Sequence, residues 1–433
     1  MSSVRKMDRA IKQNIVNALS IPKPVLVIED SKSLALLLSE KIQDAWQCEV
    51  HKANSYQEAK TFLKKHRHDY HIVVTDLNLP DAPNGEIIDL INSAKCKSIV
   101  ITGSFGEELK QSFFQKGVVD YILKNSFNSY QYVIDQVGRL YHNLSVNILL
   151  VDDSASSINI LSHVLIPQNF NIFTAKNGSE ALIILKKQSI TLMVTDYHMP
   201  DMDGIELTIE ARKLYDKSEL SILGISAQNN NDLGTQFIKN GANDFLLKPF
   251  ILEEFIWRIN LNIDAIKQLH SINRLANEDY LTQLFNRRYF YTIGEELLAF
   301  HQDDARFFVV AMLDIDKFKA VNDKYGHDVG DEVLIAFSGL LKEHFKEQLT
   351  ARLGGEEFVV LFNKQALGDI ETALNVFRSE LETLKINTSA GDLTITVSIG
   401  VASGLDQGLD LMLKDADQKL YLAKEQGRNR VII

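Results

Sequence analysis

Cysteine is scarce in this chain of 433 residues, which contains only Cys48 and Cys96. Their wide separation matches no metal-binding spacing, so we expect two reduced thiols packed in the protein interior. Reduced thiols in turn predict a cytoplasmic protein.

Long apolar runs are also missing. No stretch approaches the roughly 18 residues that a helix needs to cross a bilayer. The N-terminal segment is basic, but polar residues interrupt its apolar positions, which indicates an amphipathic helix and no secretory signal. The sequence therefore predicts a soluble protein with no membrane partner.

Positive charge is in the minority. The chain has 46 Lys and Arg against 57 Asp and Glu, a formal net charge of -11. This balance disfavours a protein that binds nucleic acid by electrostatic attraction, and we expect no nucleic-acid partner. The length exceeds what one hydrophobic core usually serves and predicts about three domains.

A glycine turn with two carboxylates stands out in the last third of the chain. Residues 352–358 read Arg-Leu-Gly-Gly-Glu-Glu-Phe, with β-forming residues on both sides. The pattern predicts a strand, a tight turn and a returning strand. Glycines let the backbone approach a ligand closely, and carboxylates hold hard cations through oxygen. These features indicate a metal-dependent nucleotide site.

A second acidic motif lies upstream of this turn. Residues 308–313 predict a buried strand that runs directly into Asp314-Ile315-Asp316. We expect the carboxylates at the end of this strand to converge with the pair in the turn on one divalent ion or two.

From about residue 277 to residue 433 the chain resembles a GGDEF domain, the domain of the diguanylate cyclases, in its Gly-Gly-Glu-Glu-Phe variant. One departure is Gln283, where the family usually has glycine. The resemblance implies an α+β fold similar to nucleotidyl cyclase and polymerase palm domains. The matching blocks are Asp279 to Thr282, Asn286 to Arg288, Asp314 to Lys319, Asn322-Asp323, Gly326-His327, Gly330-Asp331, Gly354 to Phe358, Ser398 to Gly400, and Ala416 to Asn429.

The same resemblance implies an activity, in which two GTP molecules become cyclic di-GMP and two pyrophosphates. It assigns Mg²⁺, or Mn²⁺, to Asp314, the Ile315 carbonyl and Glu356. Either Glu356 or Glu357 is the candidate base, and the sequence leaves both open. Lys319 completes the predicted catalytic group by supplying positive charge to the triphosphate. Charge develops on phosphoryl oxygens in such a reaction, so positioning and neutralisation are the main tasks of the protein.

The resemblance also implies a substrate-binding set. Asn322 and Asp331 match the guanine-binding residues of the family. His327 either lines the nucleoside pocket or serves the turn structurally, and both roles stay open. Phe318 is expected to pack beneath the loop. The remaining members of the set, which contribute the loop backbone or positive charge, are Gly354, Gly355, Lys424 and Arg428.

Two segments of similar layout precede this domain. Short apolar runs alternate with helical patterns in each, which predicts a parallel sheet with polar residues at the carboxyl ends of its strands. Both segments resemble response-regulator receiver domains, with a doubly wound, flavodoxin-like α/β fold. The predicted strands are 25–30, 72–76, 99–102 and 121–124 in the first segment, and 148–153, 192–196, 222–226 and 245–249 in the second.

The receiver resemblance assigns one phosphorylation site to each segment. The accepting side chains are Asp76 and Asp196, and the donor would be a histidine kinase or a phosphotransfer protein. Mg²⁺ would be held by Glu29, Asp30 and Asp76 in the first receiver and by Asp152, Asp153 and Asp196 in the second. The phosphoryl oxygens would be contacted by Thr102, Lys124, Ser226 and Lys248.

The two receivers differ in how closely they match the family. The second has proline after Lys248, whereas the first has asparagine after Lys124, and this dipeptide shapes the active-site loop. We therefore favour Asp196 over Asp76 as the working acceptor. Related chains often use one receiver only as a dimerisation adaptor, and the sequence leaves open which one does so here.

A continuous helix is predicted between the second receiver and the GGDEF domain, because residues 251–277 contain neither proline nor glycine. Its apolar positions start with coiled-coil spacing and then drift around the helix. The first half suits a final receiver helix, and we interpret residues 259–277 as a stalk that pairs with a second copy in a homodimer. The apolar positions are Ile256, Ile259, Ile263, Ile266, Leu269, Ile272 and Leu275.

The sequence as a whole predicts a phosphorylation-controlled diguanylate cyclase. We expect an N-terminal helical segment over 1–23, receivers over 24–143 and 146–258, the stalk over 259–277 and the GGDEF domain over 278–433. An inhibitory product site of the family, Arg-x-x-Asp, is replaced by Phe345-Lys346-Glu347-Gln348. The alternatives are a non-catalytic GGDEF adaptor and a cyclase with another base choice, although the intact carboxylates and Asp331 favour neither.

Overall fold

The structure is a computed structural model that describes residues 20–66, 69–103, 116–124, 127–227, 231–300, 308–363, 366–404 and 408–433. Most of the N-terminal segment expected over 1–23 thus lies outside the described residues. The chain forms two compact units, one ending at Lys267 and the other beginning at Gln268. Within the described residues no helix is long and apolar enough to span a membrane.

The first receiver is a parallel five-stranded sheet with the order β2-β1-β3-β4-β5. Alternate residues of its strands supply two separate cores, so that Leu26 and Ile28 pack on one face while Val25 and Val27 pack on the other. This burial on both faces explains the continuous apolar runs of the sequence. Its elements are β1 Val25–Ile28, α1 Lys32–Trp46, β2 Val50–Ala53, α2 Tyr56–Lys65, β3 Ile72–Asp76, α3 Glu86–Ser93, β4 Ser98–Thr102, β5 Val118–Leu123 and α4 Phe127–His142.

The second receiver repeats this arrangement with the order β10-β9-β8-β6-β7. Local signals fix its helices, as in the capping box of α7, where Asp203 accepts from the backbone of Glu206. Its elements are β6 Asn147–Val151, α5 Ala155–Leu165, β7 Asn171–Ala175, α6 Gly178–Lys187, β8 Leu192–Asp196, α7 Gly204–Arg212, β9 Ser221–Ser226, α8 Asn231–Lys239, β10 Asp244–Leu247 and α9 Leu252–Asn277.

Polar contacts join the two receivers within the first unit. The hydroxyl of Tyr121, on β5, donates to Glu253 Oε1 at 2.9 Å. Arg139, on α4, forms a bidentate ion pair with Asp264 at 3.0 and 2.8 Å. Both acceptors lie on α9, so the first receiver holds the same helix that continues into the stalk.

The second unit contains a mixed six-stranded sheet with the order β11-β13-β14-β12-β17-β18. Strand β12 is buried along its whole length between antiparallel neighbours β14 and β17. The elements are β11 Phe285–Asn286, α10 Arg287–Phe300, β12 Phe308–Ile315, α11 Phe318–Tyr325, α12 His327–His344, β13 Leu349–Gly354, β14 Glu357–Asn363, α13 Leu367–Thr383, β15 Ile386–Thr388, β16 Gly391–Leu393, β17 Val397–Gly404, α14 Leu409–Glu425 and β18 Val431–Ile432.

Helix α9 changes character along its length. Ile259, Ile263 and Ile266 are buried, whereas Leu269, Ile272 and Leu275 are 40%, 60% and 83% exposed. The predicted continuous helix is confirmed, and its apolar side chains beyond Ile266 are left exposed by the part of the chain that the structure describes.

Candidate functional site

The predicted glycine turn is confirmed as the connection between the antiparallel strands β13 and β14. Gly354 and Gly355 have φ angles of 151° and 54°, where side chains with a Cβ atom are strained. A Cβ atom on either glycine would meet nothing within 4 Å among the described residues. The turn thus leaves open space beside its backbone, which a ligand can approach.

Asp314 lies at the end of β12, directly opposite Glu357 on β14. The backbone N–H of Ile315 donates to the Glu356 carbonyl at 3.4 Å. Asp314 is buried, and Lys424 Nζ lies 2.7 Å from its Oδ2. The structure therefore brings the predicted metal ligands Asp314, Ile315 and Glu356 together with Glu357 at one end of the sheet.

The electrostatics of this end fit a divalent cation. Burial raises the pKa of Asp314 above its ordinary value, and the charges of Glu356 and Glu357 add to the rise, while Lys424 opposes it. Carboxylates and a backbone carbonyl are the oxygen ligands that Mg²⁺ prefers, although among the described residues the oxygens of Asp314, Glu356 and Glu357 do not all lie within 4.8 Å of one another.

Asp316 has a different environment, although it lies only two residues from Asp314. Its oxygens accept from Thr396 Oγ1 at 2.7 Å, Ser398 Oγ at 2.6 Å and the backbone N–H of Asn429 at 3.1 Å. These bonds tie the end of β12 to neighbouring segments. Asp316 is thus a structural carboxylate, and Asp314 is the one that meets the glutamates.

The predicted guanine-binding residues lie on two consecutive helices. Asn322 belongs to α11, and its buried Oδ1 atom has no hydrogen-bond partner among the described residues. A Cβ atom on Gly330, in the first turn of α12, would overlap this oxygen. Asp331, the residue after Gly330, is exposed, and His327 is the exposed first residue of the same helix. A buried acceptor without a partner is a place where a ligand N–H donor fits.

The other predicted substrate residues lie on elements around the carboxylates, and most of them make no direct contact with that cluster among the described residues. Lys319 is exposed on α11, and Arg428 is exposed in the turn that follows α14. Phe318 is buried in the core, where its ring lies beneath Gly330 at the start of α12. Among the predicted cations, Lys424 is the one whose ion pair reaches the carboxylate cluster.

Sequence reasoning gave no role to Arg352, yet it holds the glycine turn. Its Nε and Nη2 donate to the Gly355 carbonyl at 2.9 and 2.7 Å, and its Nη1 donates to Asp279 Oδ1 at 2.9 Å. Burial raises the pKa of Asp279, but hydrogen bonds from Thr282 and Arg352 outweigh it and bring that pKa below its ordinary value. A signal was present, because Arg352 precedes the glycines and Asp279 opens the first matched block.

The phosphoacceptor site of the first receiver is compact. Glu29, Asp30 and Asp76 each offer an oxygen within 4.8 Å of the others. Lys124 Nζ lies 2.9 Å from Glu29 and 2.6 Å from Asp76. Burial lowers the pKa of Lys124, but its bonds to these carboxylates outweigh that effect and raise it. Thr102 is buried at the end of β4, the neighbour of β3.

The second receiver has the same elements in a looser arrangement. Lys248 Nζ lies 2.6 Å from Asp196 and 3.3 Å from Asp152, while Asp153 is exposed. Ser226 is buried at the end of β9. Among the described residues, only the trio of the first receiver converges within 4.8 Å, so the geometry gives no support to the preference for Asp196.

The chain matches two protein-family models. The response regulator receiver domain matches residues 25–130 and 148–260, and the diguanylate cyclase GGDEF domain matches residues 276–430. These matches agree with the two parallel sheets and with the mixed sheet that carries the glycine turn.

Individual proteins show the same likeness. Response regulator PleD of Caulobacter vibrioides is 30% identical over 256 residues, which cover 56% of each chain. Diguanylate cyclase DgcM of Escherichia coli is 38% identical over 167 residues, 37% of this chain and 39% of DgcM. A crystal structure of a two-component system response regulator/GGDEF domain protein superposes with a TM-score of 0.52 at 33% identity, covering 57% of this chain and 99% of that one. The chain thus spans about half the length of PleD and less of DgcM.

Proposed function

Because the chain belongs to the response regulators, with two receiver domains and a C-terminal GGDEF domain, we propose that it is a diguanylate cyclase controlled by phosphorylation. The observation that carries the proposal is the meeting of Asp314 and Glu356 with Glu357 at one end of the sheet. A degenerate, non-catalytic domain would not need to keep all three carboxylates.

Asp314, the Ile315 carbonyl and Glu356 would hold Mg²⁺ or Mn²⁺. When bound, the ion neutralises charge on phosphoryl oxygens and makes the attacking ribose hydroxyl more acidic. Lys424 now neutralises Asp314 at 2.7 Å. A cation on the same carboxylate would free the Lys424 amine for the triphosphate, where Lys319 and Arg428 add positive charge.

The residues of the chain divide the remaining tasks. Asn322 and Asp331 hold the guanine, and the buried, partnerless Oδ1 of Asn322 supports this role. Glu356 or Glu357 takes the proton from the 3'-hydroxyl that attacks the α-phosphate of the second GTP. The backbone at Gly354 and Gly355 leaves room for the triphosphate.

Two GTP molecules must face each other, so we propose that the active form is a homodimer paired through the stalk. The exposed side chains of Ile272 and Leu275 support this pairing. A histidine kinase or phosphotransfer protein in the cytoplasm would phosphorylate Asp76, Asp196 or both. We propose the same domain boundaries that the sequence predicts.

The test is incubation of the purified chain with GTP and Mg²⁺, with product identification by mass spectrometry. We expect cyclic di-GMP, more of it with beryllofluoride, and none after chelation of the metal. Asp314→Asn and Glu356→Gln should each remove turnover, whereas Glu371→Gln on the exposed face of α13 should not. Full activity in either site variant would overturn the assignment.

Asp76→Asn and Asp196→Asn, assayed with beryllofluoride, identify the controlling receiver. The match to the family predicts the larger loss of response for Asp196→Asn, whereas the compact trio around Asp76 makes the first receiver a full alternative. An equal rate with and without beryllofluoride would leave both receivers as passive scaffolds.

A further inference from the structure

We propose that Arg352 is a positioning residue for Glu356, and that Asp279 links its guanidinium to the segment that follows the stalk. The inference rests on the proposed cyclase activity and adds to it a residue that acts through the backbone of the glycine turn.

The contact of Arg352 with the turn is directed at one atom. Two of its N–H donors, Nε and Nη2, converge on the Gly355 carbonyl at 2.9 and 2.7 Å. The oxygen of Gly355 and the N–H of Glu356 belong to the same peptide plane. Holding that oxygen therefore fixes the orientation from which the Glu356 side chain departs.

The peptide on the other side of Glu356 is held as well. Its carbonyl accepts from the Ile315 N–H at 3.4 Å, at the end of the strand that carries Asp314. Gly355 itself offers no side chain, and its surroundings are open among the described residues. Since nothing packs at the Cβ position of Gly355, the hydrogen bonds of its backbone supply the restraint there.

Asp279 holds the guanidinium from the opposite side. Its Oδ1 accepts from Arg352 Nη1 at 2.9 Å, and also from the Thr282 N–H at 3.0 Å and hydroxyl at 2.7 Å. The side chains of Arg352 and Asp279 are only 10% and 19% exposed. This shelter makes their ion pair less screened by solvent than a surface pair.

The segment that follows helix α9 also caps the end of this helix, whose last residue is Asn277. Asn286 Nδ2 and Arg288 Nη2 donate to the Ala276 carbonyl at 2.8 and 2.6 Å. Strand β11 pairs with β13, with Asn286 opposite Arg352. The last turn of the stalk and the glycine turn are thus connected by hydrogen bonds through Asn286, Arg352 and Asp279.

Two variants separate this role from general stability. Arg352→Lys keeps the charge but loses the planar set of donors that reaches Gly355 and Asp279 together. Asp279→Asn keeps the shape and the acceptor oxygen but removes the charge. The matched control is Glu382→Gln, which also removes a carboxylate paired with one arginine nitrogen, that of Arg378, on an exposed helix face.

We expect Arg352→Lys to lower kcat about 10- to 100-fold with the KM for GTP within about twofold of the unmodified chain, since the misplacement affects the reacting groups while lysine keeps the positive charge that acts on Asp331. Asp279→Asn should lower kcat in the same direction by less, and Glu382→Gln should leave both constants unchanged. Amide hydrogen exchange over residues 353–358, measured without nucleotide, should be faster in Arg352→Lys and unchanged over helix α12.

Other outcomes overturn the proposal. An unchanged kcat with unchanged exchange, or a rise in KM alone, would mean that Arg352 does not position Glu356. If Arg352→Lys fails to fold, Asp279→Asn decides by the same two measurements. If the unmodified chain makes no cyclic di-GMP, the proposed function fails by itself, and the exchange experiment still decides the role of Arg352.

Discussion

The carboxamide oxygen of Asn322 occupies the place where any side chain at position 330 would begin. It is buried and unpartnered among the described residues, and a Cβ atom on Gly330 would overlap it. The Asn322 carboxamide can therefore keep this position only with glycine at residue 330, because any Cβ atom there would have to displace it. Asn322, which we assign to guanine recognition, thus depends on Gly330, a residue that does not need to touch the nucleotide.

Gly330→Ala should displace the Asn322 carboxamide and raise the KM for GTP about tenfold, the cost of roughly one hydrogen bond to the base. Gly339→Ala is the matched control, because it lies in the same helix with open space around it. That control should stabilise the chain by about 0.5–1 kcal/mol, as alanine replaces glycine in a helix, and leave KM unchanged. Steady-state kinetics and thermal unfolding of both variants check this, and equal KM values would contradict it.

The hydroxyl of Tyr121 should couple energetically to Glu253, to which it donates at 2.9 Å. Burial raises the pKa of Tyr121 to about 12, and Glu253 adds to the rise, so the phenol remains a donor at neutral pH. A double-mutant cycle of Tyr121→Phe and Glu253→Gln should give a coupling of about 0.5–1.5 kcal/mol in unfolding free energy.

Tryptophan fluorescence isolates this measurement, since both tryptophans, Trp46 and Trp257, belong to the receiver unit. The control cycle pairs Tyr215→Phe with Glu253→Gln, because the Tyr215 hydroxyl donates to the Leu185 carbonyl within the second receiver. The two changes in the control cycle should be additive. Additivity in the Tyr121 cycle as well would show that this contact does not join the receivers.

The sequence predicted those parts of the fold that are buried on both faces. Strands such as Ile72–Asp76 and Leu192–Asp196 have their predicted bounds, because continuous burial leaves an unbroken apolar run. The edge strands Val50–Ala53 and Asn171–Ala175 were not located. Their exposed faces carry polar residues, and nothing in such a short mixed pattern separates a strand from a loop.

The candidate site likewise contains residues that sequence motifs predict and contacts that they do not. Asp314 and Glu356 follow from motifs, because each lies at the end of a recognisable strand. The contact between Asp279 and Arg352 joins residues 73 positions apart, and no local pattern encodes it. The ion pair of Lys424 with Asp314 likewise depends on how α14 packs against β12, which only the assembled sheet determines.

We predict no tight binding of cyclic di-GMP at residues 345–348. Phe345, which occupies the arginine position of the inhibitory motif, is buried. Its ring packs edge-on against that of Phe362, with 5.4 Å between the ring centroids. An aromatic side chain in the core leaves no donor for phosphate at the surface. Calorimetric titration with cyclic di-GMP should give the same curve for the unmodified chain and for the double variant that combines Lys346→Ala with Gln348→Ala. Submicromolar binding that these substitutions remove would show that the window forms a product site.

The stalk side chains should control assembly without contributing to the stability of the single chain. Ile272 and Leu275 are 60% and 83% exposed, so replacing them by glutamate removes little packing. In a parallel pair of helices the same changes would place like charges at the contact, which is destabilising.

We therefore expect Ile272→Glu with Leu275→Glu to lower the dimer fraction in analytical ultracentrifugation and to lower activity by at least about tenfold at low protein concentration, with recovery as the concentration rises. Ile183→Glu, at a residue of α6 that is 53% exposed, is the matched control and should change neither. A dimer that survives the stalk substitutions with full activity would show that the two cyclase domains meet through another surface. In that case the exposed residues of α9 would have no part in catalysis.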